Sequence, residues 1–496
     1  MPVLLPAALD LDAHLAAHPA TFPGFRRENL FHLLHLVSYL PLANRKVAAR
    51  LPDHRGFVPL RAARLRRWLP DYRDYLHYCL ATDLLVTDNF YLEPNPHRKG
   101  KCRGYQFTAA YRPAAPDGEG PAGPGLVLHE VPEPPSLTRV KRRYAAAAKR
   151  SRPAYGPLLS WLDAGRTPLR IDREAAERFV AAELERVRHD PSLRERRRRR
   201  KRKAAQKRGR RSPFKDPEAQ ALQRRLSIVK LAAGELDAHV DSVGRLHSTL
   251  TSLSSKLRPF VYCEGHGRLV ALDLRTSQPY LGNILLRGDF YEAPYSKGRK
   301  GSQVPLFIRR EGQFGRTSPD QTETLARHCA EILQRADHQC ESRFREWTSA
   351  GDFYLHLHRA LWGGASARPL DRDALKRMVL TVLFSDNASR APVLAAFAQL
   401  FPTVAAIFRA CKQRRANYLP LLLQRLEAVI FLEKIAGRLA RARPDMPLFS
   451  LHDSLVVPEA HVDFVRRVMA EELRRYVGAE PHLKVSYWGQ DPAVQG

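Results

Sequence analysis

Apolar residues at Tyr72, Tyr75, Leu76, Cys79 and Leu80 recur with the helical period, which predicts a helix over 71–81. Leu84 to Leu92 follows as a strand, a turn-rich basic stretch runs from Pro94 to Gly104, and Tyr105 to Tyr111 reads as a second strand. Helix, strand, basic loop, strand is the order of a winged helix. On that reading residues 1–113 form a unit that lays a helix in a groove and sets Arg98, Lys99, Lys101 and Arg103 against phosphates. An ordinary small α+β domain with a solvated hairpin has the same order.

Residues 114–135 are rich in proline and glycine among small side chains, a composition that reads as a linker. From Ser136 to about Ala238 the pattern is helical, with Ala175, Phe179, Val180, Leu184 and Val187 on one apolar face. Further on, Leu269 to Leu274 is a short apolar run holding one acid, Thr324 to Trp347 reads as one long helix, and Arg372 to Phe384 as another. Leu448 to Val457 reads as strand, polar tip, strand, Val462 to Val477 as an amphipathic helix, and Leu483 to Trp488 as a closing strand. Ala391 to Phe408 is the most membrane-like stretch. Pro392, Gln399 and Pro402 interrupt it, so it fits two short buried helices better than a span of ~20 apolar residues.

Composition narrows the function. At roughly 150 residues per domain, the 496 residues make about three domains, and 44% hydrophobic residues supply real cores. The net charge of +31 favours a polyanionic partner such as nucleic acid or a membrane surface. Arg194 to Arg211 holds thirteen basic residues and one acid, yet most of the excess lies elsewhere, so the folded parts are basic too. That run serves equally as a phosphate-neutralising arm, a solvated tail or a localisation signal. Six scattered cysteines read as free thiols of a reducing compartment, and the acids among the first leucines and alanines do not read as a signal peptide, so the expected location is cytoplasmic.

Two aspartates break otherwise apolar strands: Asp273 in Leu-Val-Ala-Leu-Asp-Leu and Asp453 in Leu-Phe-Ser-Leu-His-Asp-Ser-Leu-Val-Val. Such carboxylates need counterions. Brought together they fit a Mg²⁺ pair of the kind used in phosphoryl transfer, whereas apart each caps a turn or pairs with an arginine. Between them, Arg372, Lys376, Leu380 and Phe384 fall four residues apart and form one stripe along a helix, cations first and aromatic last. That order suits a nucleotide, with cations on the triphosphate and a ring on base or sugar, and equally an ordinary helix with two solvated cations and an apolar end. His328, Cys329, His338 and Cys340 match no zinc spacing, and a helix with two buried thiols explains them more simply.

Three segments in order resemble the palm polymerases shared by family A DNA polymerases and single-subunit phage-type RNA polymerases. Asp273-Leu-Arg-Thr-Ser277-Gln278 looks like motif A, Arg372 through Lys376-Arg377 to Phe384-Ser385 like motif B, and His452-Asp453-Ser454 like motif C. Gly244-Arg245-Leu246, Asp352-Phe353-Tyr354 and Gln424 are similar to flanking segments. The resemblance covers roughly Val240 to Trp488 and implies an α+β right hand with a palm built on an antiparallel sheet and with helical fingers and thumb. It makes 136–240 a thumb-like region carrying the basic arm 194–211, and 241–496 the palm and fingers, with fingers over about 286–415.

It also implies roles: Asp273 and Asp453 on two Mg²⁺ ions, Arg372 and Lys376 on the triphosphate with Lys376 as donor to the leaving group, and Leu380 and Phe384 beside the nucleotide. Ser277 and Gln278 would stand near the sugar, Arg245 and Gln424 at the primer's minor groove, and His452 near the primer terminus. Motif B has Phe384-Ser385 where the family usually has Tyr-Gly, and Ser454 stands where family A commonly has glutamate. Gln278 has the length of the family A glutamate that excludes a 2′-hydroxyl, which favours deoxynucleotides. The implied activity is a DNA-directed DNA polymerase on a primed template with nucleoside triphosphates. No paired acidic signature of a proofreading exonuclease occurs before residue 240. A single-subunit RNA polymerase or primase-like enzyme is the rival within the class, and a non-catalytic nucleic-acid-binding replication protein the rival outside it.

Overall fold

The computed structural model describes all residues except 45–46, 49–50, 52–54, 94, 96–99, 113–124, 191, 193–216, 292–318, 337, 364–371, 414 and 490–496. The basic run at 194–211 and the cations Arg98 and Lys99 fall outside the described residues.

Strand β1 (Pro2–Pro6) opens the chain, and the apolar helix Arg27–Ala43 follows it. Strand β2 (Val58–Pro59), the helices Ala62–Trp68 and Tyr72–Ala81, β3 (Leu85–Thr87) and β4 (Gly104–Phe107) complete a small unit with sheet order β2-β4-β3. Its buried set, from Val3 to Phe107, is separate from the larger core that runs from Tyr155 to Trp488. Both strands of the expected hairpin are shorter than their apolar runs. The Leu84–Leu92 run pairs only over Leu85–Thr87 plus a bridge between Leu92 and Lys101, because Asp88 turns its carboxylate onto the Gly104 and Phe90 amides and ends the ladder. The Tyr105–Tyr111 run stops at Phe107 and turns into the 3₁₀ segment Ala109–Tyr111.

The expected linker is corrected over its second half. Leu126–Glu130 forms β5, antiparallel to β1 with Pro2 opposite Glu130, so this stretch returns the chain to the N-terminal strand. Residues 113–124 lie outside the described residues. The long helix Pro135–Ser151 then carries Lys141, which pairs with Glu133 just before the helix and with Glu235 and Asp237 ahead of the strand His239–Val240.

The larger unit is built on a six-stranded antiparallel sheet. Strands β6 (Leu169–Ile171), β9 (Val261–Cys263), β10 (Gly267–Leu274), β12 (Ser454–Pro458) and β11 (Phe449–Ser450) lie in that order across it, and β13 (Leu483–Tyr487) pairs with β10. Between β6 and β9 the chain makes the small hairpin of β7 (His239–Val240) and β8 (Leu246–His247). Strand β10 reads as a nearly unbroken apolar run because neighbours flank it on both sides and its middle is buried. The helix Val462–Val477 covers the sheet with Val465, Val468, Met469 and Leu473, and it ends at Gly478, whose φ of +75° is the left-handed conformation a helix terminus favours.

Helices between β10 and β11 fill the rest. The expected single helix over 324–347 is two, Pro319–Gln334 and His338–Ser349, which puts Cys329 and Cys340 on different helices. Among the described residues no three His, Cys, Asp or Glu side chains gather as a metal cluster, and no helix is long and apolar enough to cross a membrane. The run 391–408 forms the two short helices Pro392–Leu400 and Pro402–Lys412.

Candidate active site

The site grows from the ends of two neighbouring strands. Asp273 stands opposite Ser454 in the β10–β12 ladder, and the backbone N–H of Leu274 donates to the Asp453 carbonyl at 3.1 Å. Both aspartates are half-buried. Burial pushes the Asp453 carboxyl up; a Ser277 hydrogen bond pulls it back, and the nearby charge of Asp273 pushes it up again. A carboxylate pushed up by burial and by a second acid beside it wants a cation between the two. Mg²⁺ takes one or two carboxylates and fills its remaining positions with water and substrate phosphates, so this donor set fits it without a third protein ligand.

The backbone beside each acid is unusual. His452, next to Asp453, has φ +60°, and Thr276, which begins the helix Ser277–Leu281 after Asp273, has φ +52°. Non-glycine residues in this region are sparsely populated and gather where geometry is functionally constrained. The Thr276 hydroxyl donates to the Thr348 carbonyl at 3.2 Å, which fixes the turn to the helix His338–Ser349. His452 lies edge-on to His247 with centroids 5.0 Å apart, and His247 stacks on His239. Burial, Arg245 and His247 together hold the His452 imidazole down to about 4, so it is neutral at physiological pH.

A tight turn delivers Arg245. Asp241 accepts from the Val243 and Arg245 amides at 3.0 and 2.9 Å and from His247 Nε2 at 3.0 Å. Gly244 within it has φ +87°, and its carbonyl accepts from the Tyr155 hydroxyl at 2.8 Å. Arg245 then reaches Glu427, with Nε at 2.9 Å and Nη2 at 2.7 Å from Oε1. Glu427 lies on the helix Tyr418–Ala428, one turn beyond the half-buried Gln424 and just before the π-helical turn Val429–Ile435. Its other oxygen accepts from Gln278 Nε2 at 3.0 Å and from Ser277 Oγ at 3.4 Å. Burial pushes this carboxyl up to about 7, with Arg245 pulling down and Asp453 pushing further up.

Of the residues expected from the sequence, Asp273, Asp453, Ser277, Gln278, Arg245 and His452 therefore meet in one cluster. Arg372 begins the helix Arg372–Phe384. Along that helix Lys376, Leu380 and Phe384 form an exposed stripe, the last two 37% and 45% exposed, while Val379, Val382 and Leu383 are buried. The helix packs against Tyr418–Ala428, the one that carries Gln424 and Glu427. Lys101 and Arg103 are exposed on the N-terminal unit, where Lys101 sits 5.1 Å from the Phe90 ring. Sequence reading missed Glu427. Its signal is an acid that breaks an apolar face formed by Leu419, Leu422, Leu423 and Leu426 on the same helix.

No protein-family model matches the chain, and no curated protein matches it. Among solved structures, the polymerase domain of Pol1 from M. smegmatis, in complex with DNA primer-template and dNTP, is similar with a TM-score of 0.32 and 14% identity over 71% of this chain and 72% of that one.

Proposed function

We propose that the chain is a template-directed nucleotidyltransferase, a DNA-directed DNA polymerase without a proofreading domain that extends a primer 3′ end. The observation that carries the reading is the pair of half-buried carboxylates, Asp273 at the end of β10 and Asp453 in the turn before its antiparallel neighbour β12, beneath a cluster of hydrogen-bonding groups. On this reading the six-stranded sheet is the palm of a right hand, the helices between β10 and β11 are fingers, and the helices over 136–240 form the thumb.

Asp273 and Asp453 are the residues that would hold two Mg²⁺ ions. When bound, such a pair makes a primer 3′-hydroxyl a better nucleophile and neutralises charge on the departing pyrophosphate. Lys376, exposed on its helix, donates to the leaving group, and Arg372 at the same helix's start anchors the terminal phosphate. Phe384 offers its ring to the nascent pair. Arg245 and Gln424 hydrogen-bond minor-groove acceptors common to all base pairs, so they read shape rather than sequence. His452, neutral, stands at the primer terminus, and Ser277 and Gln278 occupy the sugar side, where the length of Gln278 favours deoxynucleotides. The N-terminal unit is a winged-helix-like docking module that sets Lys101, Arg103 and the neighbouring Arg98 and Lys99 against duplex phosphates.

The test is incorporation on a primed DNA template with Mg²⁺, with dNTPs and rNTPs supplied separately. Primer extension with preference for dNTPs is expected. Unprimed synthesis from rNTPs would make the enzyme an RNA polymerase, and template binding with no synthesis from either would leave a non-catalytic binder.

A further inference from the structure

One carboxylate at the centre of the site has no part in the nucleotidyl-transfer scheme. Glu427 is 1% exposed, and its oxygens are divided between two groups assigned to substrate checking. Oε1 holds Arg245 through Nε and Nη2, while Oε2 accepts from Gln278 and Ser277. Packing does not ask for an acid here. A buried ion pair is often replaceable by apolar side chains at little cost, and Leu423, Leu426 and Ile430 already bury this stretch of helix.

What an acid does here, and an apolar residue does not, is fix donors from two directions. Arg245 has donors only, so its guanidinium can bond Glu427 in just one sense. Gln278 donates from Nε2 to Glu427, which fixes the sense of its amide and leaves Oε1 buried with no donor on it among the described residues. Ser277 adds the link to the metal-side acid, since its hydroxyl lies within reach of both Glu427 and Asp453 and has one proton to give.

We infer that Glu427 is a positioning residue that couples Arg245, at the primer's minor groove, to Gln278, at the incoming sugar, so that pairing and sugar identity are read by one hydrogen-bonded unit. The inference rests on the polymerase reading and adds to it. A distorted terminal pair that displaces Arg245 disturbs Gln278 through Glu427, and a 2′-hydroxyl that displaces Gln278 disturbs Arg245.

The test is single-nucleotide incorporation by the full chain, wild type against Glu427→Gln and Glu427→Leu, alone and combined with Gln278→Ala. Each enzyme is scored for dNTP over rNTP preference and for matched over mispaired primer ends, with melting followed in parallel. Both preferences should fall together, each by about tenfold, the loss expected when charge-assisted bonds are removed. Adding Gln278→Ala to Glu427→Gln should give little further loss of sugar preference, because the two act in series. A change in one preference without the other, strict additivity, or no change in either overturns the inference. Failure of both variants to fold overturns it too, since Glu427 would then be a structural residue. If the wild-type protein extends no primer, it is the polymerase reading itself that fails.

Discussion

Leu274 donates its backbone N–H to the Asp453 carbonyl at 3.1 Å, and that bond ties the end of β10 to the turn before β12. With Asp273 opposite Ser454, sheet register holds the first acid, and the turn that enters β12 holds the second one residue before the ladder begins. A one-residue slip would send Asp273 to the other face of the sheet.

The turn that aims Arg245 is equally constrained. A Cβ at Gly244 would lie 2.5 Å from Arg425 Nη1 and 3.3 Å from the Tyr155 hydroxyl, and the φ of +87° is unfavourable for any other residue. Gly244→Ala should cost roughly 1–3 kcal/mol of stability and weaken matched-primer preference as Arg245 shifts. Thermal melting checks the first effect, and an unchanged melting temperature would count against the close approach.

The stripe on the helix Arg372–Phe384 separates fold from function. Phe384 is 45% exposed, so Phe384→Ala should change stability by within about 0.5 kcal/mol, while loss of ring stacking raises KM for the nucleotide by about tenfold or more. Phe384→Tyr, which keeps the ring, should restore KM. A drop in melting temperature with KM unchanged would assign the ring to the core instead.

Much of this was legible in the sequence because it was periodic or strongly punctuated. The helices Arg372–Phe384 and Val462–Val477 are observed with the expected ends, since apolar residues mark their faces and Gly478 closes the second. Asp273 and Asp453 stood out because a charge within an apolar strand has few explanations. Glu427 did not, since its partners Arg245 and Gln278 lie 182 and 149 residues away and only the tertiary fold joins them. β5 was read as linker because its neighbours are prolines and glycines, while its ladder partner β1 lies at the far end of the unit. The long helix reads as continuous because apolar spacing runs on past Gln334, although the first helix ends there and Arg335 and Ala336 lie outside it.

Two histidines make the N-terminal unit sensitive to acid. His35 is buried and accepts the Leu4 N–H on Nδ1 at 2.9 Å, and His32 is buried in a stack against Trp68. Burial holds their pKa values down to about 3 for His35 and about 4 for His32, with His32 and Lys230 adding to the first and Lys141 to the second. The unfolded chain protonates these imidazoles near pH 6.5 and the folded chain does not, so their contribution is complete above pH 6.5 and is lost as pH falls toward 4. At about 1.4 kcal/mol per pKa unit, the loss is on the order of 3 kcal/mol for each. Denaturant melts at pH 7 and pH 4.5 should show the drop, and His32→Phe should reduce it. Equal stability at both pH values would mean that the imidazoles are not buried neutral.

Phosphate contacts by the N-terminal unit should appear in the salt dependence. Lys101→Ala and Arg103→Ala are each expected to weaken template binding alike on all sequences and to lower the slope of log K against log salt by about 1. Binding titrations between low and moderate salt measure this directly, and an unaltered slope in both variants would remove this unit from the duplex.

The most direct measurement is primer extension by Asp273→Asn and Asp453→Asn beside wild type, with template affinity measured on the same preparations. Each substitution keeps size and removes the charge that would bind Mg²⁺. A loss of extension of at least about a thousandfold is expected for each, on the scale of removing a principal electrostatic group, with template binding retained. Extension at the wild-type rate by either variant would contradict the assignment of these two acids to Mg²⁺.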